Sequence, residues 1–441
     1  MVLLYNQPKK IQPKQRYFTL NIESLDYQGF GLARQGNKQG GKCWFIDNAL
    51  PNEVVEIEVL EEKARYGRGK VVRYLQQSSQ RREPKCQHYH LCGGCQMQHV
   101  DLALQRSTKQ QALLYPLGRL TKTFTEKPML SGNEWHYRRR LRLSAVVGKK
   151  SGKLTLGLRQ RGSNQIVSLT QCPVLETRLE QLLQPLQQLV RHWQRVKQFG
   201  HIELVLAENG VVMLLRHQGK VSDADRQALL AFAHQYQLIL FVQEQEETIE
   251  QWLGEQPYYR LNNLKLYFDV RDFIQVNALL NQKMVEQALT WLDLSPQDRV
   301  LDLFCGMGNF TLPLAQQVES VVGVEGVMAM VEKAKRNAKL NQIDNATFYQ
   351  ADLSQPFKGQ VWAELAFNKV LLDPPRSGAA FVLPHICALQ PEKILYVSCN
   401  PATLIRDTEI LLQNGYHLIQ TAMIDMFPQT GHLESINLFS K

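Results

Sequence analysis

Apolar and polar positions alternate with a period of two in four short stretches near the start of the chain: Phe18-Thr19-Leu20-Asn21-Ile22, Gly29-Phe30-Gly31-Leu32-Ala33, Val54-Val55-Glu56-Ile57-Glu58-Val59 and Lys70-Val71-Val72. Alternation of this kind, with glycine-rich turns between, predicts half-buried strands, and four or five of them in so short a span predict a small closed β-barrel. The polar run Gln76-Gln77-Ser78-Ser79-Gln80-Arg81-Arg82 breaks the pattern and predicts a linker. From about Asp101 to Leu117 the spacing turns helical, and strands such as Ile202–Leu206 and Val211–Leu215 then follow among helices, which predicts a mixed α+β region. From Asp272 the order becomes regular: a helix from about Asn281 to Leu294, a strand Arg299–Phe304, a helix from near Thr311, then strand and helix in alternation. That alternation predicts βαβ units and a parallel, doubly wound α/β sheet. The expected divisions are a basic tail over 1–17, a barrel over 18–76, a central region over 77–270 and the α/β domain over 271–441.

The 441 residues provide for two to four domains, at roughly 100–200 residues each. Hydrophobic residues at 44% and charged residues at 21% exclude a disordered or fibrous chain. Lys and Arg outnumber Asp and Glu by 51 to 41, a balance that suits a polyanionic partner. The bases gather at Lys9, Lys10, Lys14 and Arg16, and again at Arg138, Arg139, Arg140 and Arg142 beside Trp135, His136 and Tyr137. No apolar run reaches the ~18 residues of a membrane span and no leader pattern opens the chain, so a cytoplasmic protein with no membrane contact is expected. In that compartment the eight cysteines read as site chemistry rather than as disulfides.

The strand ending at Phe304 runs into Cys305-Gly306-Met307-Gly308-Asn309, glycines that let the backbone pass close to a ligand at the carboxyl edge of the sheet. A dinucleotide fingerprint would place a third glycine where Thr311 stands, which argues against NAD. The next strand, Val321-Val322-Gly323-Val324, ends in Glu325, an acid able to accept both hydroxyls of a ribose. A later one ends in Asp352, suited to an adenine amino group, although Asp352 could instead cap a following helix. Taken in this order, the three features resemble the Rossmann-like fold of S-adenosyl-L-methionine (SAM) methyltransferases.

Two further strand ends carry reactive groups. Lys369–Leu372 leads into Asp373-Pro374-Pro375-Arg376, a rigid turn in which Arg376 stands where an adenine-methylating enzyme would have a stacking aromatic. Lys393–Ser398 delivers Cys399-Asn400-Pro401, a thiol that becomes a nucleophile once ionised. Methylating carbon 5 of uracil calls for such a nucleophile at carbon 6 and for a base to remove the carbon 5 proton, a task for which His432 and Glu434 are candidates. Phe273-Ile274-Gln275-Val276-Asn277, the glycine turn, Glu325, Asp352, Asp373-Pro374-Pro375-Arg376-Ser377-Gly378, Ser398-Cys399-Asn400-Pro401 and His432-Leu433-Glu434 together resemble the RNA uracil-5-methyltransferase family. The resemblance implies Cys399 as nucleophile and Glu434 as base. It further implies a SAM pocket lined by Gln275, Phe304, Asn309, Glu325, Asp352 and Asp373, with Asp373 also touching the uracil. Ile405 and Ile436 depart from the Ala and Val expected of that family, at places away from the chemistry.

Cys86, Cys92, Cys95 and the distant Cys172 offer four thiolates, which suit a tetrahedral zinc ion or a 4Fe-4S cluster. His88 and His90 could complete a zinc site without Cys172, and the five residues between Cys86 and Cys92 do not fit a radical-SAM enzyme. Asp26-Tyr27-Gln28-Gly29-Phe30-Gly31 with Ala49-Leu50-Pro51-Asn52-Glu53 is similar to a TRAM domain, an OB-like RNA-binding barrel. A TRAM barrel joined to a cysteine set resembles the 4Fe-4S-bearing bacterial branch of the family that acts on 23S rRNA, and that resemblance implies a monomer with a central iron-sulfur domain. Cys43, Cys305 and Cys387 are then structural. The competing readings are the same chemistry on tRNA or another rRNA uridine, or a non-catalytic RNA-binding iron-sulfur protein.

Overall fold

The computed structural model describes residues 16–36, 41–148, 151–246 and 248–441, so Lys9, Lys10 and Lys14 of the basic tail lie outside the described residues. The chain forms two compact units, one within residues 1–83 and 99–104, the other of residues 84–98 and 105–441. No helix among the described residues is long and apolar enough to cross a membrane.

In the first unit a six-stranded sheet takes the order Tyr17–Asn21, Val54–Glu62, Tyr66–Gln76, Lys42–Asp47, Phe30–Gln35, Ser24–Leu25. The two end strands are consecutive in the chain, with only Ile22 and Glu23 between them, so the sheet is rolled into an OB-like half-barrel whose ladder is broken at that join. Leu20, Ala33, Trp44, Ile46, Val55 and Ile57 fill its interior, each an inward position of an alternating strand. The strand Lys42–Asp47 escaped the alternation analysis, although it supplies Trp44 and Ile46. Gln76–Arg82 is not a free linker. The Arg81 guanidinium donates Nε to Glu53 Oε1 (2.7 Å) and Nη2 to Glu53 Oε2 (2.8 Å), and lies over the Tyr74 ring. The polar composition concealed a two-pronged ion pair with a carboxylate that is 1% exposed.

The second unit carries two large sheets. One has seven strands in the order Ile166–Ser168, Leu154–Arg159, Arg140–Val147, Phe199–Ala207, Gly210–His217, Leu238–Gln243, Glu250–Leu253. The other has eight, in the order Ala346–Gln350, Ser320–Glu325, Arg299–Leu303, Lys369–Leu372, Lys393–Ser398, Glu434–Ser440, His417–Ile424, Thr125–Glu126. The first five of these run parallel, as expected of a doubly wound sheet. Glu434–Ser440 does not continue the βαβ alternation; it turns back antiparallel and inserts between Lys393–Ser398 and His417–Ile424. The order reverses between Arg299–Leu303 and Lys369–Leu372, and the crevice at such a switch point is where doubly wound folds bind ligands. The two sheets share one core, in which Val205, Val212 and Tyr259 pack in the same cluster as Met284, Val300 and Leu438.

The basic cluster beside Trp135 is largely internal. Arg139 is buried, its Nε donating to Gln275 O at 2.7 Å, and Arg140 binds Glu203 and the carbonyls of Val270 and Asp272. Of the four arginines in that run, Arg142 alone is exposed.

Replacing Arg81 by Met would leave Glu53 as an uncompensated buried charge, a loss of about 3 kcal/mol. The expected outcome is a matching loss of hydrogen-exchange protection in the strands 42–47 and 54–62, with the strand 299–303 unaffected.

Candidate active site

The turn after Arg299–Leu303 is built from unusual backbone. Phe304, Gly306 and Gly308 all have positive φ (63°, 55° and 97°), and a Cβ on Gly308 would come within 2.9 Å of Leu312 Cγ. The Thr311 hydroxyl donates to Asp302 Oδ2 at 2.5 Å, pinning the following helix Thr311–Ala315 to the strand. Burial pushes the Asp302 carboxyl up to about 7. Across the crevice Glu325 is held by two backbone amides, Gly306 N–H to Oε2 (3.2 Å) and Val327 N–H to Oε1 (3.0 Å), at the end of the adjacent parallel strand. A carboxylate is therefore fixed against the glycine turn. Asp352 follows Ala351, whose N–H donates to the Glu325 carbonyl (3.1 Å). It caps no helix: its Oδ1 accepts from the N–H and hydroxyl of Ser354, which holds the carboxyl below its ordinary range.

Asn309 closes the other side. It exchanges reciprocal amide hydrogen bonds with Asn281 (3.0 Å each) and accepts from the Tyr259 hydroxyl at 3.0 Å. Tyr259 carries the Arg139 guanidinium over its ring, and the same guanidinium binds the Gln275 carbonyl. Asn281 and Tyr259 were not singled out in the sequence, and Arg139 was read only as part of a basic cluster; an Asn on the buried face of an apolar helix is the signal that could have marked the first.

Asp373 and Cys399 lie at the ends of neighbouring parallel strands, and Glu434 opens the antiparallel strand that pairs beside Cys399. The Asp373 turn is lashed to the helix Pro401–Gln413. Asn400 Nδ2 donates to Arg376 O (3.0 Å), Arg406 Nη2 to Ser377 O (2.9 Å), and Asp407 Oδ2 accepts from Ala379 N–H and the Tyr396 hydroxyl. Gly378, at φ +76°, passes so close that a Cβ would sit 2.5 Å from both Arg406 Nη2 and Asp407 Oδ2. Asn400 also caps that helix, accepting from Ala402 N–H.

The groups at these ends disturb one another. Burial, then the charges of Glu434 and Asp373, push the Cys399 thiol up to about 11, and Arg376 pulls the other way. Burial and Asp373 push Glu434 up to about 8, again against Arg376, and its Oε2 has no hydrogen-bond partner among the described residues. Burial holds Asp373 at about 7. His432 is exposed; desolvation and then the charge of Arg376 hold it down at about 4, and it shares a 3.1 Å hydrogen bond with Arg376 Nη2, which makes it a neutral neighbour of the site. Asp373, Cys399 and Glu434, with the exposed Arg376 guanidinium beside them, thus act on one another's ionisation.

Residues 105–441 match the family described as tRNA (Uracil-5-)-methyltransferase, and residues 15–72 match the TRAM domain. The chain is 55% identical to the 23S rRNA (uracil(1939)-C(5))-methyltransferase RlmD of Histophilus somni and 56% identical to that of Pasteurella multocida, each over the whole of both chains. The chain belongs to the uracil-5-methyltransferase family, in its bacterial RlmD-type branch. Among solved structures, the tRNA (uracil-54, C5)-methyltransferase of Pyrococcus abyssi with S-adenosyl-L-homocysteine matches at a TM-score of 0.73 and 22% identity, covering 96% of this chain and 100% of that one, a likeness of fold. Membership of the family brings a SAM-dependent methyltransferase domain, whose glycine turn and fixed Glu325 are the features just described.

Cys86, Cys92 and Cys95 are buried and Cys172 partly so; Cys86 and Cys95 pack with Tyr89, Tyr137 and Val174, and Cys172 packs against that cluster. The Cys172 thiol is pushed up by burial and then by the charges of Cys95, Cys86 and Cys92, so all four thiols share one electrostatic neighbourhood. Burial raises each of the other three, Cys95 to about 11. Among the described residues no group of three or more His, Cys, Asp or Glu converges as the ligands of a metal ion, and His90 is exposed.

Because the anionic Glu434 raises the Cys399 thiol, Glu434→Gln removes a charge that opposes the thiolate. The expected result is alkylation of Cys399 by iodoacetamide with its pH midpoint moved downward, measured by mass spectrometry of the Cys399 peptide. An unchanged or upward midpoint would contradict the coupling.

Proposed function

We propose that this chain methylates carbon 5 of one uridine in 23S rRNA, uridine 1939 by the names of its relatives, acting as a cytoplasmic monomer with the divisions 1–17, 18–76, 77–270 and 271–441. The observation that carries this reading is the meeting of Cys399, Glu434 and Asp373 beside a glycine turn with a fixed ribose acid. Gln275, Phe304, Asn309, Glu325, Asp352 and Asp373 are the residues assigned to hold SAM, which supplies an electrophilic methyl group when bound.

Cys399 Sγ releases its proton to solvent and bonds to carbon 6 of the uracil, and the ring electrons pass toward carbon 5 and the neighbouring carbonyl oxygen. Arg376 is the cation that favours the thiolate. Asp373, at about 7, is half protonated near neutrality and donates a hydrogen bond to the carbonyl where negative charge collects. Carbon 5 takes the methyl group. Glu434 then removes the carbon 5 proton, the electron pair restores the double bond and the Cys399–carbon 6 bond breaks. Its desolvated, unpartnered oxygen suits a base that must take up a proton from carbon. A uracil inside a stack exposes neither carbon, so the base is flipped out, at a cost of a few kcal/mol that RNA contacts offset. The TRAM unit, with the RNA-binding character of its kind, is placed in that role.

We assign Cys86, Cys92, Cys95 and Cys172 to a 4Fe-4S cluster. Four thiols in one electrostatic neighbourhood, three of them buried and Cys172 partly so, suit a cationic cluster that lets them ionise. Bound there, the cluster would tie the 86–95 segment to the distant Cys172 as a structural cross-link.

Anaerobically purified protein is expected to contain about four irons per chain with matching sulfide; stoichiometric zinc without sulfide would overturn the assignment. Cys399→Ala is expected to abolish methylation while SAM binding persists, and Glu434→Gln to accumulate an RNA adduct that survives denaturation. Normal turnover by Glu434→Gln would make His432 the next candidate for the base. Mapping 5-methyluridine in the rRNA of a deletion strain tests the substrate, since loss from tRNA alone would favour the tRNA reading.

A further inference from the structure

The segment that brings Glu434 into the site is the connection from His417–Ile424 to Glu434–Ser440, and its middle is fastened from outside the catalytic sheet. Gln429 has a left-handed backbone (φ 68°) and is fully buried, a conformation that its surroundings must enforce. Its carbonyl accepts from both Gln96 N–H and Met97 N–H at 3.0 Å. Its side chain and N–H exchange hydrogen bonds with the Gln105 amide (3.0 Å each). Two residues on, Gly431 N–H donates to Gln96 Oε1 at 3.2 Å.

Gln96 follows Cys95 directly. Its Nε2 donates back to Gly93 O (2.9 Å), between Cys92 and Cys95, and its own carbonyl accepts from Tyr89 at 2.7 Å. One amide side chain thus grips the cysteine loop with its donor and the base-bearing connection with its acceptor. Nothing in the chemistry of uracil methylation requires this clasp, and simple burial would be served by an apolar residue.

We propose that Gln96 is a positioning residue for Glu434, transmitting the conformation of the Cys92–Cys95 loop to the carboxyl that removes the carbon 5 proton. The inference rests on the reading of Cys399 as nucleophile and Glu434 as base. A connection released at Gly431, with Gln429 still held by Gln105 and by the Gln96 and Met97 amides, lets the Glu434 carboxyl drift from carbon 5 after the adduct has formed, so elimination slows more than addition or SAM binding. Disordering of the cysteine loop acts at the same step by the same route.

The test uses the full chain. Gln96→Met fills the space without either hydrogen bond. Its expected behaviour is an unchanged SAM dissociation constant and RNA KM, a kcat lowered about tenfold or more, and a denaturation-resistant RNA adduct at steady state. Hydrogen exchange is expected to quicken about tenfold in the peptide spanning 427–436 in Gln96→Met and, without any turnover, in the Cys92→Ser/Cys95→Ser double variant, while the strand 299–303 stays protected. If Glu434→Gln traps an adduct but Gln96→Met neither traps one nor loosens 427–436, the positioning role is overturned and the catalytic reading stands. If Glu434→Gln traps none, both fall. Equal loss of protection at 299–303 would mark a general loss of fold and would overturn the proposal as well.

Discussion

The crowding of Asp373, Cys399 and Glu434 into one desolvated crevice, with the exposed Arg376 guanidinium acting on two of them, is the constraint around which the catalytic unit is arranged. Burial raises each of the three groups, and the coupling of Glu434 with both neighbours adds to the cost of ionising all of them together. Ionising the three groups one at a time costs less than ionising them together, which suits the addition and elimination proposed above. Such an arrangement repels itself and needs a stiff frame. Asp407 supplies part of it by receiving the Ala379 amide and the Tyr396 hydroxyl, so the Asp373 turn is tied to the strand that leads to Cys399 and to the helix beyond it.

The frame is extended by buried charge on the other side. Lys109, with no exposed surface, donates to Asp425 Oδ1 and to Phe427 O, and Arg106 donates to Asp425 Oδ2. Tyr137 donates to Pro428 O. These contacts fix both the start and the middle of the connection that leads to Glu434. An ion pair as buried as Lys109–Asp425 adds little net stability, but a departure from its geometry leaves a charge unpaired, so its effect is to specify one arrangement.

How much of this was legible in the sequence depends on whether the physics is local. Gly306, Gly308, Glu325, Asp373 and Cys399 were readable because a parallel sheet delivers reactive groups at strand ends, where a short apolar run and the residue after it carry the information. The half-barrel was readable from alternation except for Lys42–Asp47, whose flanks are glycine-rich and polar. Partners far apart in the chain left no trace: Glu53 for Arg81, Tyr259 for Arg139, Gln429 for Gln96. Composition marked Gln76–Arg82 as a linker and the arginine run as a basic surface because it registers polarity and not whether the polarity is answered. The antiparallel course of Glu434–Ser440 was equally hidden, since an apolar run gives a strand without its direction or its slot.

That slot also dictates an order of assembly. The strand Glu434–Ser440 lies between two strands that both precede it in the chain, Lys393–Ser398 and His417–Ile424. Until it docks, those two strands have a gap between them that neither can close, each presenting an unpaired backbone edge of the kind that invites pairing with another chain. Because Glu434 is the first residue of that strand, the step that closes the sheet is the same one that brings this carboxyl beside Cys399.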